Sequence, residues 1–134
     1  MRSSALPALA LAALLVPAIA HVQTAEAATF QKWDQAAFDK AQAEGRPVLL
    51  YIEASWCPTC AKQRPILSKF YQEPAFANLL VLSIDFDTQK DLLARLGVNK
   101  QSTLIAYHGK TERTRSTGVT DPEKLHALLT AAES

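Results

Sequence analysis

The chain has 134 residues, 49% hydrophobic and 20% charged, the balance of one globular domain rather than of a disordered or fibrous chain. Against 14 Lys plus Arg stand 13 Asp plus Glu, a net charge of +1, so there is no basic field to hold a polyanion and no nucleic acid partner is expected. The two cysteines, Cys57 and Cys60, are too few for a disulfide framework or a four-cysteine zinc site.

Arg2 precedes an uncharged apolar stretch over residues 5–20, and small-residue sites follow at Ala18-Ile19-Ala20 and Ala25-Glu26-Ala27. This pattern predicts a signal peptide over residues 1–27, cut after Ala27, with Ala20 as the alternative site. The stretch is shorter than the about 20 apolar residues that cross a bilayer, and it carries Pro7 and Pro17. The mature domain, residues 28–134, is expected to be exported to a compartment where disulfides persist.

After a short strand near Phe30, Asp34 can cap a helix through Phe38 and Ala41, which Gly45 ends. Residues 48–52 form a continuous apolar run, the pattern of a central strand covered on both faces. A helix starts at Pro58 and carries Ile66, Leu67, Phe70 and Tyr71 at helical spacing, interrupted by Pro65, which removes one hydrogen bond. Residues 79–86 read as a second buried strand. Thr88 and Asp91 suggest a capping box for a helix with Leu92, Leu93 and Leu96 on its apolar side and Gly97 as its stop. Residues 103–107 and 112–117 read as strands joined by a turn at His108-Gly109-Lys110. Thr120 and Glu123 suggest a second capping box, with Pro122 in the first turn and Leu125, Leu128 and Leu129 facing the core. The alternation closed by a hairpin predicts an α/β fold, a mixed sheet with helices on both faces.

The chemistry lies in Trp56-Cys57-Pro58-Thr59-Cys60. Two thiols separated by two residues at a helix start can close and reopen a small disulfide ring by exchange. Unpaired N–H groups and the helix dipole favour a thiolate on the first cysteine. Helical spacing places Cys57 above Ala61, Arg64 and Ser68, a mostly polar row, while Cys60 leads to Leu67 on the apolar side. Cys57 is therefore expected to be exposed and attacking, Cys60 buried and resolving. Arg64 lies about two turns on, roughly 10 Å by helix rise, a minor influence on the thiolate. A purely structural bridge gains least from so short a loop. A half zinc site would draw on His108, His126 or His21, which lack the paired spacing of zinc ligands.

The run Pro47-Val48-Leu49-Leu50-Tyr51-Ile52-Glu53-Ala54-Ser55-Trp56-Cys57-Pro58-Thr59-Cys60 resembles the active-site strand and helix start of the thioredoxin family, and the resemblance spans the mature chain. Pro65 matches the family's helix-kinking proline and Gly118 a glycine before the last helix. Pro58-Thr59 is similar to exported members that reduce apocytochrome c, although this chain lacks the length for their central insertion. The short form and the Gly45-Arg46-Pro47-Val48 approach look more like the terminal domain of the bacterial inner-membrane reductant conveyor. The resemblance implies a thioredoxin fold, a Cys57-Cys60 dithiol/disulfide cycle, and a substrate groove at Trp56, Pro58, Thr59, Gln101, Ser102 and Thr103.

Two departures stand out. The family's buried proton-relaying aspartate is replaced by Tyr51. Glu53 shares its face by strand alternation and is either a substitute relay or a solvated glutamate at a strand end. Ser102 stands where the family has a cis-proline, which opens metal binding as an alternative; a trans bond is the default before serine. Trp56 is either a partner platform or core packing. Trp33 is expected in the core, His108 and His126 on the surface, and Arg113 and Arg115 as guards of an edge strand. The expected activity is reduction of disulfides in exported, periplasmic proteins by a monomer, recharged by a membrane-embedded thiol reductase, with no organic cofactor. The other classes are a metal-binding or metal-delivery protein and a non-catalytic binding domain.

Overall fold

The computed structural model describes residues 26–134; the expected signal peptide lies, save its last two residues, outside them. Thr29–Lys32 forms β1, the short strand predicted near Phe30. Asp34 opens helix α1, Gln35–Ala43, its Oδ1 accepting the Ala37 N–H at 2.7 Å, one of the donors that a helix start leaves without a partner. The Arg46 N–H bonds to the Ala41 carbonyl at 2.9 Å, and the chain enters β2, Pro47–Glu53, buried throughout except at half-buried Glu53.

That burial follows from β2's place in the sheet. It lies between parallel β3, Leu80–Asp85, and antiparallel β4, Thr103–His108. With β5, Thr111–Thr117, the order is β1-β3-β2-β4-β5. Strand alternation divides the core. Val48, Leu50 and Ile52 pack with Phe38 of α1 and with Leu92 and Leu93 of α3, Lys90–Leu96. Leu49 and Tyr51 pack with Leu67 of α2, Pro58–Phe70, and with Leu125 of α4, Pro122–Glu133. Because α2 leaves β2 towards one face and α3 leaves β3 towards the other, a crevice forms at the carboxyl ends of these strands, where α/β sheets hold their sites.

Both expected capping boxes are replaced. At α3 the cap is Gln89, whose side chain makes no cap bond and instead accepts the Asp85 N–H through Oε1 at 2.8 Å, and the turn before the helix is organised by the Asp85 carboxylate. Its Oδ1 accepts from the Asp87 N–H at 2.8 Å, the Thr88 N–H at 2.9 Å and the Thr88 hydroxyl at 3.0 Å. The Thr88 N–H is the largest cause of the Asp85 carboxyl titrating below its ordinary value. At α4 the cap is Asp121, not Thr120: Pro122 occupies the first helical position, and Asp121 Oδ1 accepts the Lys124 N–H at 3.0 Å.

Gly97 ends α3 at φ 66°, as expected of a left-handed helix stop. Gly109 turns β4 into β5 at φ +54°, and a Cβ there would stand 3.2 Å from the Gly45 Cα; only glycine lets the two turns meet this closely. Arg115 does more than guard an edge. It pairs with Glu112 at 2.6 Å and donates to the Leu96 carbonyl at 3.0 Å, at the end of α3 where a cation is favoured. His108 is a half-buried tie rather than a surface residue, while His126, its side chain 44% exposed, lies at the surface as expected, an apolar ring body with a polar tip suiting both settings. His108 Nδ1 is 2.8 Å from the Ala132 carbonyl. His126 stands edge-on to Phe70 and Phe76, with Nε2 3.2 Å from Glu73 Oε2. Trp33 packs against Phe38 at 5.2 Å, as predicted.

Candidate active site

The central strand delivers Trp56 and Cys57 directly to the start of α2. Cys57 is the N-cap residue, extended at φ −76° and ψ 112°, and its Sγ accepts the Cys60 N–H at 3.0 Å. Pro58 follows at the first helical position, its backbone angle already suited to a helix. Cys57 and Cys60 are disulfide-bonded with their Cα atoms 5.3 Å apart. The ring sits on N–H groups that α2 cannot use internally, so a thiolate released at Cys57 on reduction meets a donor and the positive end of a helix dipole.

Cys60 is 0% exposed, as its place on the apolar side predicts, but Cys57 is 1% exposed rather than open to solvent. In the oxidised ring the Cys57 sulfur is bonded to Cys60, and both residues cluster with Ala54 against Phe86. Trp56 is 56% exposed, which removes the core-packing reading. Its indole N–H donates to Asp87 Oδ2 at 2.8 Å, and its ring meets Phe86 edge-on at 6.4 Å. Phe86 in turn carries the Lys90 ammonium 3.8 Å from its ring centre. Pro58 is exposed and Thr59 half-buried beside it.

The Gln101-Ser102-Thr103 segment is joined to α2 by Gln63, a residue outside every sequence motif. Gln63 is 0% exposed, and its Nε2 donates to the Ser102 carbonyl at 3.3 Å and the Val119 carbonyl at 2.9 Å. The Gly118 N–H also reaches the Ser102 carbonyl, at 3.0 Å, which gives the glycine matched in the sequence a structural task. Ser102 is 4% exposed, left-handed at φ +56°, and follows a trans bond. Its hydroxyl donates to the Gln101 carbonyl at 2.6 Å, an internal bond that supports this conformation. The Thr103 hydroxyl is used between the Lys100 carbonyl at 2.8 Å and Thr117 Oγ1 at 2.9 Å. A polar side chain between Cys60 and Leu67 on the buried side of a helix was the available signal for Gln63.

Glu53 is not a freely solvated strand-end glutamate. Its Oε2 accepts from Arg64 Nε at 2.9 Å and its Oε1 from the Ser83 hydroxyl at 2.8 Å. Arg64 also donates to the Ala54 carbonyl at 3.0 Å, so its charge is directed to the end of β2 rather than left facing the sulfurs across solvent. Tyr51 and Glu53 line one cavity of about 350 Å³ together with Leu67 and Tyr71, confirming the shared face. The Tyr51 hydroxyl donates to the Cys60 carbonyl at 3.3 Å, and burial, then the charge of Glu53, pushes the phenol well above its ordinary value. Among the described residues, no three His, Cys, Asp or Glu side chains converge where a metal ion could sit.

Comparison with known proteins agrees with this arrangement. The family model for thioredoxin matches residues 29–131. Thioredoxin H-type from Fagopyrum esculentum is 26% identical over 104 residues, covering 78% of this chain and 87% of its own length. Thioredoxin-2 from Saccharomyces cerevisiae is 30% identical over 82 residues, covering 60% of this chain and 77% of its own. The crystal structure of Trxlp from Edwardsiella tarda EIB202 superposes with a TM-score of 0.73 at 42% identity, covering 75% of this chain and 98% of that one. With its five-stranded mixed sheet and a cysteine pair closed at the head of α2, the chain belongs to the thioredoxin family and is a thiol–disulfide oxidoreductase.

Proposed function

We propose that the mature chain works as a reductase of disulfides in exported, periplasmic proteins. The observation that carries this reading is the Cys57 sulfur at the cap of α2, within 3.0 Å of an N–H donor, with Cys60 sealed behind it. In the reducing cycle the Cys57 thiolate attacks a partner's disulfide, forming a mixed disulfide and releasing one partner sulfur as a thiolate. The Cys60 thiol then gives up its proton, and its sulfur attacks the Cys57 sulfur. The second partner sulfur leaves, two electrons have passed to the partner, and Cys57 and Cys60 are joined. Glu53 is the proton relay of this second step. Trp56, Pro58 and Thr59 meet the partner on one side, and Gln101, Ser102 and Thr103 on the other. The reducing direction is supported by Pro58-Thr59, which puts no histidine between the cysteines. A membrane-embedded thiol reductase restores the dithiol, no organic cofactor takes part, and the protein acts as a monomer.

The test is reduction of a protein disulfide by the purified mature chain, with the reduction potential of the pair measured against a thiol buffer. The expectation is turnover that Cys57→Ser abolishes, with a potential near the reducing end, about −270 mV, of the range that related dithiols span. A potential near −120 mV would reverse the direction. Export is checked by sequencing the N-terminus of the protein from the periplasmic fraction, expected to start at Ala28.

A further inference from the structure

Arg64 has no part in the cycle just described, yet it makes two bonds at the place where that cycle needs order. Its Nε donates to the Glu53 carboxylate at 2.9 Å and its Nη2 to the Ala54 carbonyl at 3.0 Å. Glu53 and Ala54 are consecutive, and the Ala54 side chain clusters with Cys57 and Cys60. Arg64 itself belongs to the helix that both cysteines open. One guanidinium therefore locks the carboxylate, the backbone leading into the active-site turn, and α2 into a single arrangement. Ser83, from the neighbouring strand, holds the other carboxylate oxygen at 2.8 Å.

The carboxylate so held lines an open polar cleft of about 510 Å³, along with Ser55, Ser83, Asp85 and Lys32. On its inner side it shares a cavity with Tyr51, whose hydroxyl touches the Cys60 carbonyl. The carboxylate thus borders the open cleft on one side and the cavity of Tyr51 on the other, so a proton it holds can be passed out to solvent. A carboxylate on a flexible side chain keeps such a place only when both oxygens are tethered. The planar fork of arginine can bond two acceptors at once with fixed geometry, which the single ammonium of lysine does not reproduce.

We propose that Arg64 is the positioning residue of disulfide exchange: by gripping Glu53 and Ala54 together it holds the carboxylate that receives the Cys60 proton as the Cys60 sulfur attacks the mixed disulfide. The inference rests on the proton-relay reading of Glu53. The Cys60 S–H bond breaks, its proton passes to Glu53, the sulfur–sulfur bond to Cys57 forms, and the partner's thiolate leaves. The carboxyl then returns the proton to the leaving thiolate or to solvent through the cleft.

The test is single-turnover reaction of the fully reduced mature protein with a disulfide-bonded peptide. Formation of the mixed disulfide depends on peptide concentration and its resolution does not. Both steps are followed in water and in deuterium oxide for the wild type, Glu53→Gln, Arg64→Met, Arg64→Lys and the double variant Glu53→Gln/Arg64→Met. Resolution is expected to slow about tenfold or more in Arg64→Met, with its solvent isotope effect changed and mixed-disulfide formation within about twofold of wild type. Arg64→Lys should recover less than half of the lost rate, and the double variant should be no slower than Glu53→Gln alone. Equal slowing of both steps, an unchanged resolution rate in Arg64→Met, full recovery by lysine, or multiplying effects in the double variant overturns the positioning role. If Glu53→Gln leaves resolution unchanged, the relay reading fails as well; if Glu53→Gln is slow while Arg64→Met is not, only the positioning inference fails.

Discussion

Replacing Gln63 by glutamate tests how the Ser102 segment is fastened to α2, with almost no change in volume. Gln63 is fully buried, and its Nε2 donates to two carbonyls, while its Oε1 has no partner. In Gln63→Glu the donor becomes an oxygen facing two acceptors. A buried, unpaired carboxylate takes up a proton instead of staying charged. Holding it neutral at pH 7 costs about 1.4 kcal/mol for each unit above an ordinary value near 4.3, roughly 3.7 kcal/mol. The neutral acid can donate to one carbonyl only, which adds about 1 kcal/mol. The expected loss is about 4–5 kcal/mol at pH 7 and about 1 kcal/mol near pH 4. The sign follows from proton binding: the introduced carboxyl holds a proton in the folded chain at a pH where the unfolded chain has released it, so the loss grows as pH rises. Urea denaturation of both proteins at the two pH values, with Gln63→Leu as an uncharged control, measures it. A loss equal at both pH values, or smaller than about 1 kcal/mol at pH 7, refutes the burial and bonding argument.

Cys60→Ser is expected to stop the cycle after the first attack and accumulate a covalent complex through Cys57, visible as a reducible mass adduct; turnover at the wild-type rate would remove Cys60 from the resolving role. Trp56→Ala should raise KM for protein disulfides about three- to tenfold while leaving exchange with a small aromatic disulfide within about twofold, because the exposed ring offers contact area only to a large partner. Asp85→Asn should be less stable than wild type in thermal melts near neutral pH. The Asp85 carboxyl titrates low, chiefly through the Thr88 N–H, so its contribution is present above the unfolded value of about 3.9 and fades as pH falls through the folded one. A melting difference undiminished at the acid end of the series would contradict that account.

Elements with strong local signals were legible in the residues. The apolar run at 48–52 became the central strand, Asp34 capped α1, and Gly97 stopped α3. The two capping boxes misled because several residues at each turn are competent caps, and the choice depends on partners outside the pattern: the Asp85 carboxylate at one helix, the place of Pro122 at the other. Glu53 was legible as a carboxylate on the Tyr51 face, but Ser83 lies 30 residues away and its bond to Glu53 forms only through strand register, Tyr51 pairing with Ser83. Arg64 looked like a solvated charge on a polar row because helical spacing ranks positions within one element and says nothing of what the sheet presents to them.

By itself, the order of residues determined the type of chemistry and where along the chain it resides. Two thiols at a helix start after a buried strand constrain each other through bonds and torsions only a few residues long, which local geometry specifies. Tertiary structure alone decided the setting. Gln63 ties Ser102 to α2, Arg64 grips Glu53, Asp87 pins Trp56, and the closed ring carries Cys57 out of solvent. Each of these depends on which polar groups are brought together and stripped of water when strands and helices pack, and that pairing is a property of the assembled fold rather than of any stretch of chain.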